Sequence, residues 1–194
     1  ASTEPPLFLS STFGKGQTSY VSSTGTEAAT HNKWETFSDT LVLMKNTDLH
    51  DKGFNRKAYI SFDLEQIRSQ EVKSATLTLQ FQPTGIGYAS NVSDCIFSVY
   101  GIKDESLDNW NSESINWANA PANLPGGGEV DLEKVMLLGN FTIDSGIQKT
   151  SMSIQTEELT KFLSNDSNGL ITLVIVRDSK ELERIGLVHG FAGN

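Results

Sequence analysis

The sequence predicts an all-β protein, an antiparallel two-sheet β-sandwich with one or two short helices. Two observations carry this prediction. Several short segments alternate apolar with polar side chains and are separated by turn-forming residues, and no helical pattern alternates with them, which excludes parallel βαβ folds. A length of 194 residues with 37% hydrophobic content is sufficient for one domain with a buried core.

The first part of the chain is irregular. Residues 1–16 contain Pro5-Pro6 and Gly14-Lys15-Gly16, so they predict a lead-in or linker in which residues 7–9 are a candidate edge strand. Residues 17–194 are predicted to form a single domain. A strand is predicted at residues 20–23, followed by a long polar loop over residues 24–38.

The strongest strand signal covers residues 53–64. Its alternation separates an apolar set, Ala58, Ile60 and Phe62, from a polar set, Lys57, Tyr59 and Ser61. We therefore expect one face of this strand to pack in the core and the other to face a ligand or solvent.

A second strand, residues 40–45, precedes it across a polar connection, so the pair is predicted to form a hairpin. Lys45 and Arg56 would then lie at the same end of adjacent strands. Like charges repel there unless an anion or a carboxylate lies between them.

The remaining elements follow from the same patterns. Residues 65–68 predict one helical turn, and residues 157–163 a helix with acidic residues in its first turn. The continuous apolar run at residues 170–176 predicts a central strand covered on both faces. Further strands are predicted at residues 74–82, 95–102, 135–143, 150–154 and 185–191, and a loop rich in Trp and Asn at residues 108–121.

Composition excludes several classes of function. Cys95 is the single cysteine, so no internal disulfide or multi-cysteine zinc site can form, and a buried reduced thiol is expected. The net charge of −9 argues against a nucleic-acid partner, and no apolar run approaches the ~20 residues of a membrane span. We find no nucleophile elbow, phosphate loop or His metal motif, so no catalytic residues are predicted.

Four motifs, in order along the chain, resemble a known family. They are the strand pair ending in Lys45 and covering residues 55–64, the strand at 72–79, Trp110 with Ile115-Asn116-Trp117-Ala118-Asn119-Ala120-Pro121, and Val188-His189-Gly190-Phe191-Ala192. Together they resemble the DNRLRE domain family, also called disaggregatase-related, which is similar to carbohydrate-binding modules of polysaccharide lyases and glycoside hydrolases. The resemblance covers about Tyr20 to Asn194. The family usually continues with a Pro-led closing strand, which this chain does not show.

The resemblance implies a secreted bacterial β-sandwich of jelly-roll type. Its expected role is non-catalytic: it would anchor an enzyme or a cell surface to polysaccharide, often an acidic one from marine algae. An attached catalytic domain in the full-length protein is also implied. The chain starts without a signal peptide pattern, so we expect any such segment to lie upstream or to have been removed.

The predicted ligand-binding residues combine this resemblance with the strand pattern. Basic residues of the family correspond to Lys45 and Arg56, and a polar one corresponds to His189. Lys57 and Tyr59 are assigned from the polar strand face, and Trp34 from its polar loop as an exposed ring on which a sugar can stack. Ion pairing of the two cations and a merely solvated sheet face are the structural alternatives.

Sequence patterns leave two further points open. Trp117 is predicted to fill the core, whereas Trp110 could serve either role. No cofactor is predicted except a structural calcium ion, for which Asp48 with Asp51, or Asp166 with Asn165 and Asn168, are weak candidates without EF-hand spacing.

Two rival functions remain at this point. One is a polysaccharide-degrading lyase or hydrolase domain, which would release products from a glycan. The other is a structural adhesion or surface-layer module, which would associate with itself or with protein.

Overall fold

A computed structural model of the chain describes residues 5–23, 41–48, 54–87, 93–181 and 186–193. The described residues form mainly strands, in agreement with the predicted all-β sandwich. The strands are β1 Gln17–Ser22, β2 Leu41–Met44, β3 Arg56–Asp63, β4 Leu77–Gln82, β5 Cys95–Ile102, β6 Val135–Ile143, β7 Thr150–Ile154, β8 Leu170–Arg177 and β9 His189–Ala192. One α-helix, α1, covers Glu157–Ser164, and single 3₁₀ turns lie at Glu65–Ile67 and Glu105–Leu107.

The strands form two antiparallel sheets. The five-stranded sheet has the order β1-β3-β8-β5-β6, and the four-stranded sheet the order β2-β9-β4-β7. β8 lies at the centre of the larger sheet, between β3 and β5, and all its residues after Leu170 are buried. This confirms the prediction of a central strand from its continuous apolar run.

The predicted hairpin of β2 and β3 is wrong. β2 pairs with β9 in the four-stranded sheet, whereas β3 pairs with β1 and β8 in the other. Within the described parts of the two segments, one β-bridge joins them, in which the backbone amides of Lys45 and Arg56 each donate to the other's carbonyl over 3.0 Å. The chain therefore changes sheets here, and the predicted proximity of Lys45 and Arg56 is confirmed although the hairpin is not.

The main core lies between the two sheets and contains a group of phenylalanines. Phe97 and Phe141 stack with ring centroids 5.0 Å apart, and Phe81 makes edge or tilted contacts at 5.7–5.8 Å with Phe97, Phe141 and Phe191. Offset and edge contacts of this kind add about 0.5–1.5 kcal/mol each beyond the burial of apolar area. Through this cluster, β4 and β9 of one sheet pack against β5 and β6 of the other.

A second, smaller core covers the outer face of the five-stranded sheet. Residues 108–134, which we call the Trp loop, fold back over β1, β3 and β8. Trp117 is 5% exposed within this core, which confirms its predicted role as a core residue, and Trp110 is half-buried with its ring 6.0 Å from that of Tyr59. The polar face of β3 is therefore covered by the chain itself.

Two local predictions had different outcomes. Residues 7–9 do not form an edge strand: Leu7 and Phe8 are 53% and 87% exposed in an irregular lead-in. The predicted helix is present as α1, where the Thr156 side chain caps the amide of Leu159 at 3.0 Å and Leu159 is buried. Among the described residues, no helix has the length and apolar character needed to span a membrane.

Candidate functional site

Opposite charges collect at the two ends of the larger sheet. Because β3 and β8 are antiparallel, Arg56 and Arg177 lie at one end, and Asp63 pairs with Leu170 at the other. The eight residues of β3 separate the two ends by about 23 Å. We call the basic end, formed by Lys45, Arg56, Arg177 and His189, the cationic rim.

Hydrogen bonds and one ion pair fix the side chains of the cationic rim. Nη1 of Arg177 donates to the carbonyl of Leu187 at 2.8 Å and lies 3.1 Å from Nδ1 of His189, while Nη2 donates to the carbonyl of Asn46 at 3.3 Å. Nζ of Lys45 lies 3.5 Å from a carboxylate oxygen of Glu181. The rim thus connects the ends of β2, β3, β8 and β9.

Arg56 is held at the start of β3. Its Nη1 donates to the carbonyl of Phe54 at 3.2 Å, and only 5% of the residue is exposed. Phe54 itself has a φ of 70°, a conformation that is uncommon for a side chain of this size. The chain therefore turns sharply just before it enters the strand that carries Arg56.

The electrostatics of the rim follow from burial and like charge. Burial lowers the pKa of Lys45, and the positive charges of Arg56 and Arg177 lower it further, while Glu181 opposes both effects. Burial and the neighbouring Arg177 lower the pKa of His189 to about 3. His189 is therefore neutral at physiological pH and accepts the hydrogen bond from Arg177, so the rim holds three cations rather than four.

Lys57 and Tyr59 do not face a ligand or solvent, and this part of the predicted site is wrong in its placement. Both are fully buried beneath the Trp loop. Nζ of Lys57 donates to Oδ1 of Asn123 at 2.6 Å and to the carbonyls of Leu124 and Glu129, and it lies 4.6 Å from the Trp117 ring. The three protons of an ammonium group match these three acceptors.

Tyr59 has an equally structural position. Its hydroxyl donates to the carbonyl of Pro121 at 2.8 Å, and its ring contacts that of Trp110 edge-on. Lys57 and Tyr59 therefore attach the Trp loop to β3. Their alternation with Ala58 and Ile60 therefore marks a second packed face of β3 and not a solvent-exposed one.

The remaining predicted residues divide into two groups. Trp34 and Asp51 lie outside the described residues. Asp48 is exposed and pairs with Nζ of Lys180 at 3.1 Å, and Asp166 accepts a hydrogen bond from the amide of Gly169 at 2.9 Å in a turn. Within the described ranges, no group of three or more His, Cys, Asp or Glu side chains is arranged to hold a metal ion.

The structure also places Cys95 and two residues at the rim, Arg177 and Glu181, that the sequence patterns do not indicate. Cys95 is a buried free thiol, as predicted, and burial raises its pKa. Arg177 and Glu181 were not predicted as site residues. The available signal was the position of Arg177 directly after a run of seven apolar or Thr residues, where a buried strand meets the rim of the sandwich.

All three cations of the rim are largely buried. Lys and Arg side chains donate charge-assisted hydrogen bonds to carboxylates and sulfates, and an Arg fork can contact two oxygens at once. Lys45 is the most exposed of the three cations, at 9%.

Comparison with protein families agrees with this all-β architecture. A model of carbohydrate-binding module family 96 matches residues 10–183. The comparison with curated proteins gave no match. The family match supports the resemblance to carbohydrate-binding modules, whereas the resemblance to the DNRLRE family in particular stays a prediction. Since the match spans most of the 194 residues, the chain belongs to carbohydrate-binding module family 96.

Proposed function

We propose that this protein is a non-catalytic module that anchors a secreted enzyme or a cell surface to an acidic polysaccharide. Family membership supports the carbohydrate-binding part of this proposal. The observation that favours an acidic ligand is the clustering of Lys45 with Arg56 and Arg177 at one end of the sandwich.

The argument for an acidic ligand rests on the clustering of buried cations. Burial is the main cause of the lowered pKa of Lys45; Arg56 and Arg177 lower it further, and Glu181 outweighs these two charges but not the burial. A carboxylate or sulfate group beside Lys45 would favour its protonated form and gain charge-assisted hydrogen bonds. Such a contact would stabilise the protonated rim, and binding would weaken as salt concentration rises.

The net charge of −9 does not conflict with this assignment. Exposed charges are screened over about 8 Å at physiological ionic strength, whereas the acidic end of β3 lies about 23 Å from the rim. The local field at the rim is therefore set mainly by its three cations together with Glu181, which lies 3.5 Å from Lys45. At low salt the distant carboxylates would act more strongly and slow the approach of an anionic chain.

Affinity electrophoresis tests the proposal. The wild type would be run in native gels containing alginate, pectin, ulvan or porphyran, with agarose as a polysaccharide of low charge. Lys45→Gln removes the most accessible charge of the rim, and Lys134→Gln controls for the change in net charge because Lys134 is an exposed lysine paired with Asp131. Loss of one charge-assisted hydrogen bond would weaken binding roughly tenfold.

The proposal predicts that acidic polysaccharides retard the wild type and the Lys134→Gln variant but retard Lys45→Gln less. Equal retardation of all three proteins would place the binding site elsewhere. Release of reducing ends or unsaturated products during the run would contradict the non-catalytic role and favour the degrading enzyme.

A further inference from the structure

A lysine amine lies inside the smaller core, directly against a side-chain amide of the Trp loop. Lys57 of β3 is fully buried, and its Nζ lies 2.6 Å from Oδ1 of Asn123. Its other hydrogen bonds go to the backbone carbonyls of Leu124 and Glu129. Among the described residues, no carboxylate forms an ion pair with this amine. The buried nitrogen is therefore surrounded by uncharged acceptors.

This environment favours the neutral amine. Moving an ammonium group from water into a protein interior costs free energy unless an opposite charge pairs with it. Burial therefore lowers the pKa of Lys57 to about 7, and the charge of Glu129 opposes this effect only in part. At neutral pH a large fraction of the chains carries Lys57 without its charge. The uncharged amine has the lone pair that makes lysine a nucleophile.

The Asn123 amide is held in place next to this amine. Its Nδ2 donates to the carbonyl of Trp117 at 2.6 Å, and its backbone forms an antiparallel bridge with Val130. Oδ1 lies 2.6 Å from Nζ of Lys57 and is bonded to Cγ at about 1.23 Å, so Cγ lies within about 3.8 Å of Nζ. Reacting atoms held about 3–3.5 Å apart are close to the geometry of attack. A small rotation of one side chain is thus enough to bring the amine onto the carbonyl carbon.

We propose that Lys57 and Asn123 form an intramolecular isopeptide bond. Nζ attacks Cγ of Asn123, so that the Nζ–Cγ bond forms and the Cγ–Nδ2 bond breaks. One proton passes from Nζ to Nδ2, with the Glu129 carboxylate, whose charge acts on Lys57, as its carrier, and Nδ2 leaves as ammonia. The reaction needs no oxidant, reductant or second substrate.

The bond gives the buried lysine a structural use. It replaces a cation without a counter-charge by a neutral amide, and it attaches the Trp loop to β3 covalently between residues 66 positions apart. A cross-link over such a length restricts the unfolded chain and so stabilises the fold. The linked nitrogen does not titrate, so the pH dependence that its amine gives to stability belongs to chains in which the bond has not formed.

Intact mass spectrometry tests the bond directly. The folded wild type would be incubated at about pH 8, where most Lys57 amines are neutral, and its mass compared with the mass of the sequence. We expect a deficit of one ammonia molecule per chain.

Tryptic peptides locate the lost ammonia. Trypsin does not cleave after a lysine whose amine is acylated, so the linked chain should give residues 57–68 joined to residues 104–134 as one branched peptide. The sequence Asn168-Gly169 could also lose ammonia, by closing a succinimide, but these two peptides would then stay separate.

Variants make the test specific. Lys57→Met removes the amine and Asn123→Ala removes the acyl group, so neither should lose ammonia. Asn123→Asp offers a carboxyl group to the same amine and should lose water instead. Lys134→Gln and Asn168→Ala change a lysine and an asparagine at exposed positions, and both should show the deficit of the wild type.

The outcomes are decisive without any variant that might fail to fold. A wild-type mass equal to that of the sequence would overturn the bond, as would a deficit that the peptides place at Asn168 or that persists in Lys57→Met. The branched peptide would establish it. Binding of polysaccharide at the cationic rim does not enter the measurement, so this inference and the proposed function stand or fall separately.

Discussion

Removal of the Tyr59 hydroxyl tests the finding that the polar face of β3 is a packed interior face. Tyr59→Phe keeps the ring against Trp110 and deletes the donor to the Pro121 carbonyl, 2.8 Å away. Both residues are buried, so water cannot easily replace the lost bond. Leaving a buried carbonyl unpaired costs about 1–3 kcal/mol of unfolding free energy.

Urea and thermal unfolding measure this cost. For a chain of this length, each kcal/mol lowers the melting temperature by about 2–4 °C. Tyr100→Phe is the control: Tyr100 lies on the same face of the five-stranded sheet but is only half-buried, so water can replace the hydrogen bond between its hydroxyl and the Ser98 side chain. The free energy of unfolding of this variant should change by less than that of Tyr59→Phe. Polysaccharide binding should be the same in wild type and Tyr59→Phe.

A Tyr59→Phe variant with unchanged stability and weakened polysaccharide binding would refute the reasoning. That result would mean that the hydroxyl meets a ligand and that the Trp loop does not cover it in solution.

Three other predictions concern charge and packing. Burial lowers the pKa of Lys57 from 10.5 to about 7, so between these pH values the unfolded state holds a proton that the folded state has released. Urea titrations should therefore show that the free energy of unfolding rises with pH over this range, by at most about 1.4 kcal/mol per pH unit relative to Lys57→Met. Burial raises the pKa of Asp108 from 3.8 to about 6, so between these pH values the folded state holds a proton that the unfolded state has released. The free energy of unfolding should therefore fall as pH rises from 3.8 to about 6, and Asp108→Asn should remove this pH dependence. A Cβ at Gly101 would lie 2.6 Å from the Phe162 ring, so Gly101→Ala should lower the free energy of unfolding by about 1–3 kcal/mol. Thermal unfolding of the double variant with Phe162→Leu should show that part of this stability is recovered.

The strands were largely predictable because their local pattern and their burial agree. Residues 95–102, 135–143 and 150–154 occupy the predicted ranges, and the run at 170–176 is the central strand of the larger sheet. Which strands pair could not be read from these patterns. β2 is buried after its first residue, so its alternation does not distinguish a partner in one sheet from a partner in the other.

The face of β3 shows why alternation alone is insufficient. Lys57 and Tyr59 look like surface residues next to Ala58 and Ile60, yet the Trp loop supplies a hydrogen-bond acceptor for each of their donors. The loop sequence contained a signal for this, since Trp110 and Trp117 need an apolar surface on which to pack. Long-range packing of a loop on a sheet leaves no periodic trace in either segment.

The candidate site was predictable only in part for a similar reason. The proximity of Lys45 and Arg56 followed from the order of the strands and the family resemblance, but Arg177 reaches them through the antiparallel pairing of β3 with β8. The contact between Lys57 and Asn123 likewise joins residues that only the folded chain brings together.

The most direct test of binding at the cationic rim is the electrophoretic mobility of the Lys45→Gln variant in gels that contain alginate. If the rim binds acidic polysaccharide, the wild type and Lys134→Gln are retarded and Lys45→Gln migrates nearly as in a gel without polysaccharide. If folded Lys45→Gln is retarded as strongly as the wild type, or if no acidic polysaccharide retards the wild type, the account of the rim is contradicted.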